Sequence, residues 1–547
     1  MLLETLISEG VEYIFGNPGT TELPLMDALV DLPQIHYVLA LHEGSAVAMA
    51  DGYAQASGRP GFLNLHTAGG LGNGMGNLLN AAVSQTPLVV TAGQQDTRHS
   101  LTDPLLLGDL VRIARPAMKW AHEVTDVSQI PVLVRRAFND ARAAPTGPVF
   151  LSLPMDVMEA MTSAPVTEHS VVDRRSVACS LERLAGELAA IPPGRLAIIA
   201  GDEIHASDAA DQVVRMAETL GAPVFGSSWP ARIPYPTAHP LWAGNLPNHA
   251  EGIAASLGAF DAVFALGGKS LITVLYTETS AVPPGCAVFQ MSADVRDLGR
   301  TYPTRLSVVG DIRASLEALQ PLLDDNCAPA ASERAGLVRA SADRRRERRA
   351  ALEQEARAQF ELQPVPPLVA AHEAARAIGP EVAVVDEAIA TADSLRRFLH
   401  SRSARQYSFL RGGGLGWGMP AAVGCSLGLR REPVVSLVGD GAAMYSPQAL
   451  WTAANERLPI TFVVMNNREY NILKNFMRRQ QHYASVRSNR FIAMDLRDPL
   501  LDFQSLARAM GVAACRIERA ADIAPAIEAG IASRAPNLIE IMIAPGS

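Results

Sequence analysis

The sequence predicts an α/β protein made of three doubly wound domains, each built on a parallel sheet. Short apolar runs of strand length alternate with helical patterns along nearly all of the 547 residues, and this alternation is typical of parallel sheets connected by helices. Several runs end in glycine, carboxylate or amide residues, where open α/β sheets bind ligands. The length by itself suggests three to four domains of roughly 150 residues each.

Composition excludes several classes of partner. The chain is 48% hydrophobic and 19% charged, with a net charge of −9, so it has ample material for buried cores but no basic surface for nucleic acid or an anionic membrane. Five cysteines without a CxxC pair predict reduced thiols in a cytoplasmic protein. The first ten residues lack a basic segment, and no apolar run has membrane-spanning length, so we expect neither a secretion signal nor a membrane partner.

Residues 1–165 form the first predicted domain, with polar groups after successive strands. Glu22, Glu43 and His66 each follow a predicted strand, so we expect all three at one rim of a parallel sheet. A glutamate that begins a helix is favoured by the helix dipole whatever its function, and a histidine beside the Gly-rich loop 66–73 is often only packed. The convergence of the three is what indicates a site.

Residues 170–325 form a second predicted α/β domain, and residues 326–360 a linker. Gly267-Gly268 follows a strand, but the segment has no GxGxxG motif and no suitably placed acid, which does not favour a nucleotide such as FAD. The basic run 344–349 is interspersed with glutamate and is interpreted as a solvated helix face or linker.

The last predicted domain, residues 361–547, contains the most informative stretch, Val434 to Asn467. A strand ends at Gly439-Asp440-Gly441, and the next ends at Asn466-Asn467. Asp440 and Asn467 offer the oxygen ligands that Mg²⁺ prefers. An isolated Gly-Asp-Gly is usually a turn, but the flanking strands favour a ligand site. Ser446-Pro447 predicts the start of a helix, whose N-terminus would favour a diphosphate.

These motifs resemble the thiamine diphosphate-dependent decarboxylases related to benzoylformate decarboxylase. The resemblance covers most of the chain and is densest in the segments 16–24, 40–43, 50–54 and 64–68 and around Gly439. It implies thiamine diphosphate and Mg²⁺ as cofactors and a 2-oxo acid as substrate. It also implies a homodimer or homotetramer in which two subunits share each active site.

The resemblance implies a role for each candidate residue. Glu43 would activate the coenzyme through its aminopyrimidine ring, His66 would transfer protons, and Thr20 would bind the substrate carboxylate, with Glu22 a further catalytic candidate. Ile472 and Phe476 would complete the substrate pocket with Thr20 and His66. The metal would be held by Asp440, the Asn467 side chain and the backbone oxygen of Glu469. The coenzyme contacts would be Glu43, Asn73, Gly413, Leu415, Gly439, Asp440, Gly441, Ala442, Ala443, Tyr445, Asn467, Tyr470, Asn471 and Ile472.

Two departures from the family pattern leave the reaction open. Thr20 stands where the family has serine, and the middle-domain histidine of the family has no counterpart in the stretch 268–276. We expect decarboxylation of an aromatic or branched 2-oxo acid. The alternatives are a carboligase or lyase, of the acetolactate synthase or 2-hydroxyacyl-CoA lyase type, and a non-catalytic protein on the same fold. His66 argues against the acetolactate synthase type, whereas the missing histidine argues for some change of reaction.

Overall fold

A computed structural model describes residues 1–166, 168–403 and 406–545. It contains three six-stranded sheets in which the strand pairs are parallel, joined by helical crossovers. This confirms the predicted class, a doubly wound α/β fold repeated three times.

The first sheet lies in the N-terminal part of the chain and has the strand order β2-β1-β3-β4-β6-β5. Its strands are β1 Tyr13–Gly16, β2 His36–Leu39, β3 Gly61–His66, β4 Leu88–Gln94, β5 Ala121–Glu123 and β6 Val149–Pro154. Its helices are α1 Leu2–Ser8, α2 Leu23–Ala28, α3 Glu43–Ser57, α4 Thr67–Val83, α5 Leu110–Ala114, α6 Ile130–Arg142 and α7 Met155–Glu159.

The second sheet occupies the middle of the chain, with the order β12-β11-β10-β7-β8-β9. Its strands are β7 Leu196–Ala200, β8 Val224–Gly226, β9 Trp242–Asn245, β10 Ala262–Leu266, β11 Ala287–Ser292 and β12 Leu306–Val309. Its helices are α8 Leu181–Ala189, α9 Glu203–Ala206, α10 Ala210–Leu220, α11 Ala250–Leu257 and α12 Ile312–Cys327.

The segment predicted as a linker is mostly one helix, α13 Ala331–Ala358. It docks on the middle domain through Arg334, whose guanidinium donates to the carbonyls of Leu220 and Ala189 at 2.7 and 3.0 Å. Those carbonyls lie at the C-terminal ends of α10 and α8, where backbone oxygens lack partners within the helix. The segment is therefore held against the middle domain, with much of its basic run exposed.

The third sheet repeats the strand order of the first, as β14-β13-β15-β16-β18-β17. Its strands are β13 Ala383–Glu387, β14 Tyr407–Phe409, β15 Val434–Gly439, β16 Ile460–Asn466, β17 Ala513–Ile517 and β18 Asn537–Met542. Its helices are α14 Pro367–Ile378, α15 Ala392–Phe398, α16 Gly418–Gly428, α17 Asp440–Ala443, α18 Ala449–Asn455, α19 Asn471–Arg478, α20 Ala484–Ser488, α21 Phe503–Ala509 and α22 Ala520–Ala532.

Two local predictions were wrong. The segment after His66 was expected to be a Gly-rich loop, but it is helical from Thr67 onward, because small residues let it pack closely under Glu43 and Val47. Ser446-Pro447 does not begin a helix. The helix nearest the predicted metal site is α17, which starts at Asp440 itself, and α18 starts at Ala449.

The first and third domains are joined by direct packing of α3 against α16. A Cβ on Gly424 would lie 1.8 Å from the backbone oxygen of Met49, and one on Gly52 would lie 2.1 Å from that of Ala421. Only glycine permits this approach, since a Cβ at either position would overlap backbone. The two domains share one hydrophobic core as a result.

None of the helices in the described ranges combines the length and hydropathy that a membrane-spanning segment requires.

A second contact between these domains gives a pH-dependent prediction. His36 Nε2 on β2 lies 2.9 Å from Oε1 of Glu456, just after α18, and this hydrogen bond raises the pKa of His36. The pair therefore stabilises the fold below about pH 6.5, and its contribution is lost as the pH rises through the raised pKa. Because the His36 side chain is 51% exposed, we expect less than about 1 kcal/mol.

Replacing His36 by glutamine should accordingly lower the melting temperature at pH 6 more than at pH 8.5. The exposed His122 on β5 provides a matched control, and H122Q should track the unmodified protein at both pH values. If His36→Gln lowered the melting temperature equally at the two pH values, this assignment would be contradicted.

Candidate active site

A buried carboxylate and a histidine form the centre of the first rim. Glu22 lies just before α2 and is fully buried. Its oxygens accept from the backbone N–H groups of Gly19 and Gly93, both at 2.9 Å, and from the Thr21 hydroxyl at 2.8 Å. Oε2 also lies 2.8 Å from His66 Nδ1. Glu22 thus holds His66 in place, and its own oxygens are fully engaged within the protein.

This arrangement fixes the tautomer of His66. A carboxylate that already receives backbone donors acts as an acceptor, so the proton of the neutral imidazole belongs on Nδ1 and Nε2 is left free. The His66 side chain is 22% exposed. The ring lies directly on Gly19, where a Cβ would come within 2.3 Å of it. His66 therefore presents Nε2 as the group that can accept or return a proton.

The two threonines before Glu22 differ in their surroundings. Thr20, the predicted substrate ligand, is exposed at the surface, whereas Thr21 is buried. The Thr21 hydroxyl lies 3.2 Å from His66 Nδ1 and donates to Glu22. Thr21 belongs to the network that holds His66, whereas the Thr20 side chain is exposed to solvent.

Glu43 begins α3 and is 9% exposed. Asn73 donates to its Oε2 at 3.1 Å, and Gly70 lies so close that a Cβ there would be 2.8 Å from Oε1. A buried hydroxyl stands nearby: Tyr37 OH has no hydrogen-bond partner among the described residues. Burial and then the charges of Glu22 and Glu43 raise the pKa of Tyr37. An unpaired buried hydroxyl beside two carboxylates is consistent with a site that binds a polar ligand.

One face of α4 connects Glu43 to the last domain. Asn73, Asn77 and Asn80 are spaced by four and three residues, so they share a helix face. Asn77 donates to the Gly44 carbonyl at 2.8 Å, and Asn80 exchanges two hydrogen bonds with the backbone of Gly414, at 2.8 and 2.9 Å. The loop that contains the predicted coenzyme contacts Gly413 and Leu415 is held by this face.

The same loop is fixed from below by Glu387, the last residue of β13. Its fully buried carboxylate accepts from the backbone N–H groups of Gly416, Trp417 and Gly418 at 2.6, 3.2 and 2.7 Å. Burial raises the pKa of Glu387 to about 7, against these three donors, which favour the anion. The carboxylate thus caps the start of α16 and shapes the preceding turn.

The second rim is built around Asp440, which follows β15 and is 5% exposed. It accepts from the backbone N–H groups of Gly441 and Arg468 at 2.8 and 2.6 Å. Burial raises the pKa of Asp440 to about 6. Within the described ranges, backbone N–H groups donate to this carboxylate, but no ammonium or guanidinium group pairs with it. A bound cation would stabilise the buried anion further.

The remaining predicted metal ligands lie on the next strand end. Asn467 and Glu469 are buried, at 8% and 4% exposure. Arg468 between them has a φ of +61°, which is unusual for a residue other than glycine. The Glu469 side chain is engaged by Lys474 and Asn471, which leaves its backbone oxygen as the group it could offer a metal.

This donor set fits one small divalent cation. Asp440 supplies a charged oxygen and Asn467 an amide oxygen, which suits Mg²⁺ better than a softer metal. No group of three or more His, Cys, Asp and Glu gathers anywhere in the part of the chain that the structure describes, and a ligand set with a single carboxylate is consistent with this.

The other predicted coenzyme contacts flank these rims. Gly439 ends β15, and Ala442 and Ala443 lie within α17, whose start at Asp440 provides free backbone N–H groups. Gly441 leaves room for Tyr470, since a Cβ would lie 2.4 Å from that ring. Tyr445 is 56% exposed. Asn471 begins α19 and donates to Glu469 at 3.0 Å.

Ile472 and Phe476, the predicted substrate contacts, line a cavity of about 960 Å³. The middle domain, α13 and the segment 389–409, which includes α15, form its other walls. One of these wall residues is His249, the N-cap of α11, whose Nδ1 accepts from Gly252 N at 3.1 Å. The stretch 268–276 has no histidine, but the cavity does receive an imidazole from elsewhere in the middle domain.

The structure joins Glu22 with His66 and Asp440 with the Asn467–Glu469 turn, as the sequence analysis expected of each rim. The sequence analysis did not identify Tyr37, Thr21, Asn77, Asn80, Glu387 or His249. The spacing of the three asparagines would have revealed their shared face if α4 had been predicted as a helix. No local pattern marks Glu387, because its partners are distant in sequence, or His249, because the cavity that it lines forms only on folding.

The role of Glu387 can be tested by glutamine substitution. An amide in this position turns an N–H₂ group toward a backbone N–H, so at least one buried donor loses its acceptor, at a cost of about 1–3 kcal/mol. We expect Glu387→Gln to lower the melting temperature measured by calorimetry. Glu381→Gln, at an exposed pair with Arg402, is the control and should melt like the unmodified protein. Equal melting of both variants would contradict the capping role.

Comparison with known proteins gives consistent results along the chain. Models of thiamine pyrophosphate enzymes match in three segments: the N-terminal TPP binding domain at residues 1–126, the central domain at 193–319 and the C-terminal TPP binding domain at 388–541. Benzoylformate decarboxylase of Pseudomonas aeruginosa is 33% identical over 98% of this chain and 97% of its own length.

Two further relatives have names that describe different reactions. The acetolactate synthase large subunit of Lactococcus lactis is 26% identical over 99% of this chain and 92% of its own. The solved structure of the thiamine diphosphate-dependent 4-hydroxybenzoylformate decarboxylase of Rhodococcus jostii RHA1 matches with a TM-score of 0.85 and 28% identity, over 99% and 98% of the two chains. The chain therefore belongs to the thiamine pyrophosphate enzyme family, with the family's TPP binding domains at both ends and its central domain between them.

Proposed function

We propose that the protein is a Mg²⁺-dependent thiamine diphosphate decarboxylase that converts an aromatic or branched 2-oxo acid to an aldehyde and CO₂. The observation that carries this proposal is the buried Glu22–His66 pair at the rim that also bears Glu43. It supplies an imidazole whose free nitrogen can move protons beside a candidate coenzyme-activating carboxyl. The benzoylformate decarboxylase relatives support the same reaction class.

When bound, thiamine diphosphate supplies the nucleophilic carbon and the electron sink that decarboxylation needs. Glu43 would hold a proton at its carboxyl, toward the aminopyrimidine ring, with Asn73 fixing Oε2. Gly413 and Leu415 would position that ring from the loop fixed by Asn80 and Glu387. The chain's contribution here is orientation and a single well-placed proton.

His66 would move protons to and from the substrate-derived oxygen or carbon at Nε2. Glu22 and Thr21 would keep the ring oriented throughout, because both contact Nδ1. Thr20 would donate its exposed hydroxyl to the substrate carboxylate. Ile472 and Phe476 would exclude water from the substrate side chain, and His249 would offer a second imidazole in the same cavity.

Mg²⁺ would bind at Asp440, Asn467 and the Glu469 backbone oxygen and neutralise the diphosphate. The unpaired buried carboxylate of Asp440 is the feature that supports a cation at this point. The start of α17 would add backbone N–H donors to the phosphates.

A carboligase is the second candidate. It is favoured by the acetolactate synthase relative, which matches along 99% of this chain, and by the absence of histidine from the stretch 268–276. Mass spectrometry of the products with an added acceptor aldehyde separates the two functions, since a hydroxyketone as the main product would favour ligation.

We further propose that each active site is shared between two copies of the chain. Asn73 contacts Glu43 and Asn80 contacts Gly414, and these asparagines are seven residues apart, about 10 Å along the helix. One aminopyrimidine ring is smaller than this distance, which supports contributions from different chains. Exposed apolar side chains beside the rims, Leu41, Leu79 and Met444, also favour self-association.

The reaction can be tested by CO₂ release from benzoylformate, phenylpyruvate, 4-methyl-2-oxopentanoate and pyruvate, with thiamine diphosphate and Mg²⁺ present. We expect turnover of at least one aromatic or branched acid, its loss with a chelator, and its return with Mg²⁺. Glu43→Gln should reduce kcat by at least about 100-fold, because the amide cannot hold the activating proton. Unchanged activity of Glu43→Gln, or no turnover of any acid, would reject the proposal.

The shared site can be tested by mixing two inactive variants. Glu43→Gln and Asp440→Asn place their lesions at opposite ends of the coenzyme. If two chains build each site, a mixed dimer has one site with both lesions and one with neither. Co-expression should therefore recover roughly a quarter of full activity under random pairing. Each variant expressed alone is the control, and no recovery in verified mixed dimers would place both groups in one chain.

A further inference from the structure

The large cavity that contains Ile472 and Phe476 is unusually basic. Seven arginines line it, against one aspartate and one glutamate, although the whole chain has a net charge of −9. Its volume of about 960 Å³ is at the upper end of the range for small-molecule sites. A basic cavity in an acidic chain points to a ligand with negative charge.

Three of these arginines come from the basic run that the sequence analysis interpreted as a solvated helix face. Arg345, Arg348 and Arg349 lie at spacings of three and four residues on α13, so they share one face, and that face lines the cavity. Arg346 lies off this face and pairs with Asp343 instead. Part of the run is thus directed into a cavity that the sequence alone could not reveal.

The α13 arginines lie close together, so their positive charges repel one another. Arg345 donates to the Thr237 carbonyl at 2.7 and 3.1 Å, and Arg349 pairs with Glu353 at 2.8 Å. Burial and then the charges of Arg349 and Arg348 lower the pKa of Arg345. A nearby anion would relieve this repulsion.

Two further arginines come from α15, which contacts α13 through a hydrogen bond from Arg349 to the Phe398 carbonyl at 2.9 Å. Arg396 is compensated, since it donates to Tyr407 OH at 3.2 Å and has Asp393 at 3.9 Å. Arg397 and the α13 residue Arg348 are exposed at the surface of the cavity. Neither side chain has an ion-pair or hydrogen-bond partner among the residues that the structure describes.

The last two arginines lie at the C-terminal end of α19, with Arg478 as its last residue and Arg479 directly after it. Arg479 lies 6.0 Å from the Phe476 ring centre, and Arg478 donates to Asn475 at 2.8 Å. From Ile472 to these arginines the helix rises about 10 Å. Positive charge therefore lies about 10 Å from the apolar residue Ile472, a distance that one extended substrate could span.

We propose that this cavity binds the anionic end, a carboxylate or phosphate group, of an elongated 2-oxo acid substrate. The inference rests on the proposed function for the reacting end of that substrate. Ile472 and Phe476 contact the middle of the molecule, and Arg348 of α13 and Arg397 of α15 pair with its far end. Guanidinium groups suit both carboxylate and phosphate, since each can be bound by two parallel hydrogen bonds.

A pair of substrates of equal length tests this directly. 2-Oxooctanoate has a neutral tail, and 2-oxooctanedioate ends the same chain in a carboxylate. We expect the unmodified enzyme to favour the dioate by about tenfold in kcat/KM, as a charge-assisted contact allows. The double substitution Arg348→Ala and Arg397→Ala should abolish this preference. The control Arg346→Ala, on α13 but outside the cavity lining, should retain it. A preference that is absent from the enzyme or survives the double substitution overturns the proposal.

Direct binding separates this proposal from the proposed reaction. Calorimetry with tripolyphosphate on the protein loaded with thiamine diphosphate and Mg²⁺ requires no turnover. We expect binding that weakens about tenfold in the double variant but not in Arg346→Ala, and weakens with added salt. Equal binding by all three proteins would reject the arginine site even if a 2-oxo acid is decarboxylated.

The same probe separates a substrate tail from an independent effector. If the anion site belongs to the substrate, tripolyphosphate should inhibit turnover of 2-oxooctanedioate competitively. If tripolyphosphate instead accelerates turnover of 2-oxooctanoate, and the dioate is not preferred, the site serves a separate anionic effector and the substrate assignment is wrong.

Discussion

The close packing of α3 against α16 determines where both halves of the candidate site lie. Backbones approach so closely at Gly52 and Gly424 that no side chain fits between them. Trp417, just before α16, adds a hydrogen bond from its indole to the fully buried Asp51 of α3 at 2.8 Å. Because Glu43 begins α3, and the loop with Gly413 leads into α16, this contact fixes the relative position of the two rims within one chain. In the proposed shared site, each rim would then face the opposite rim of a second copy. Rigid backbone contact is well suited to holding such a geometry.

The repeated strand order of the first and third sheets explains why polar groups gather at two rims. Both sheets place the ends of neighbouring parallel strands side by side, which is where a βα crossover can offer side chains and free N–H groups. Two of these turns are strained: Thr67 follows His66 with a φ of +52°, and Arg468 separates Asn467 from Glu469 with a φ of +61°. Strain of this kind persists when surrounding structure holds it, as the helices that follow both turns do here.

The strand ends could be predicted from the sequence because they depend on local periodicity and on the rule that parallel strands share an edge. Glu22 with His66, and Asp440 with the Asn467 turn, follow from that rule. Helix α4 was missed because its glycines were interpreted by intrinsic preference, while tertiary contact with Glu43 and Val47 selects small residues there. Glu387 and His249 could not be identified, since the loop that Glu387 holds and the cavity that His249 lines are assembled only by folding. The arginines of α13 were identified as a basic run, but their direction depends on a cavity formed by four separate segments of the chain.

The proposed coenzyme and substrate sites share one feature: each contains charged side chains that have no oppositely charged partner among the described residues. Asp440 is a buried carboxylate without a cation, and Arg348 and Arg397 are cavity-lining cations without an anion, among the described residues. Asp440 accepts backbone donors as Glu22 does, but Glu22 also contacts the imidazole of His66 and Glu469 contacts Lys474. A buried carboxylate such as Asp440 costs free energy when no cation accompanies it. Arg348 and Arg397 are exposed and stay hydrated, so they remain available to an anion that enters the cavity. We therefore interpret Asp440, at the start of α17, as a partner for a bound cation, and Arg348 and Arg397 as partners for the anionic end of the proposed substrate.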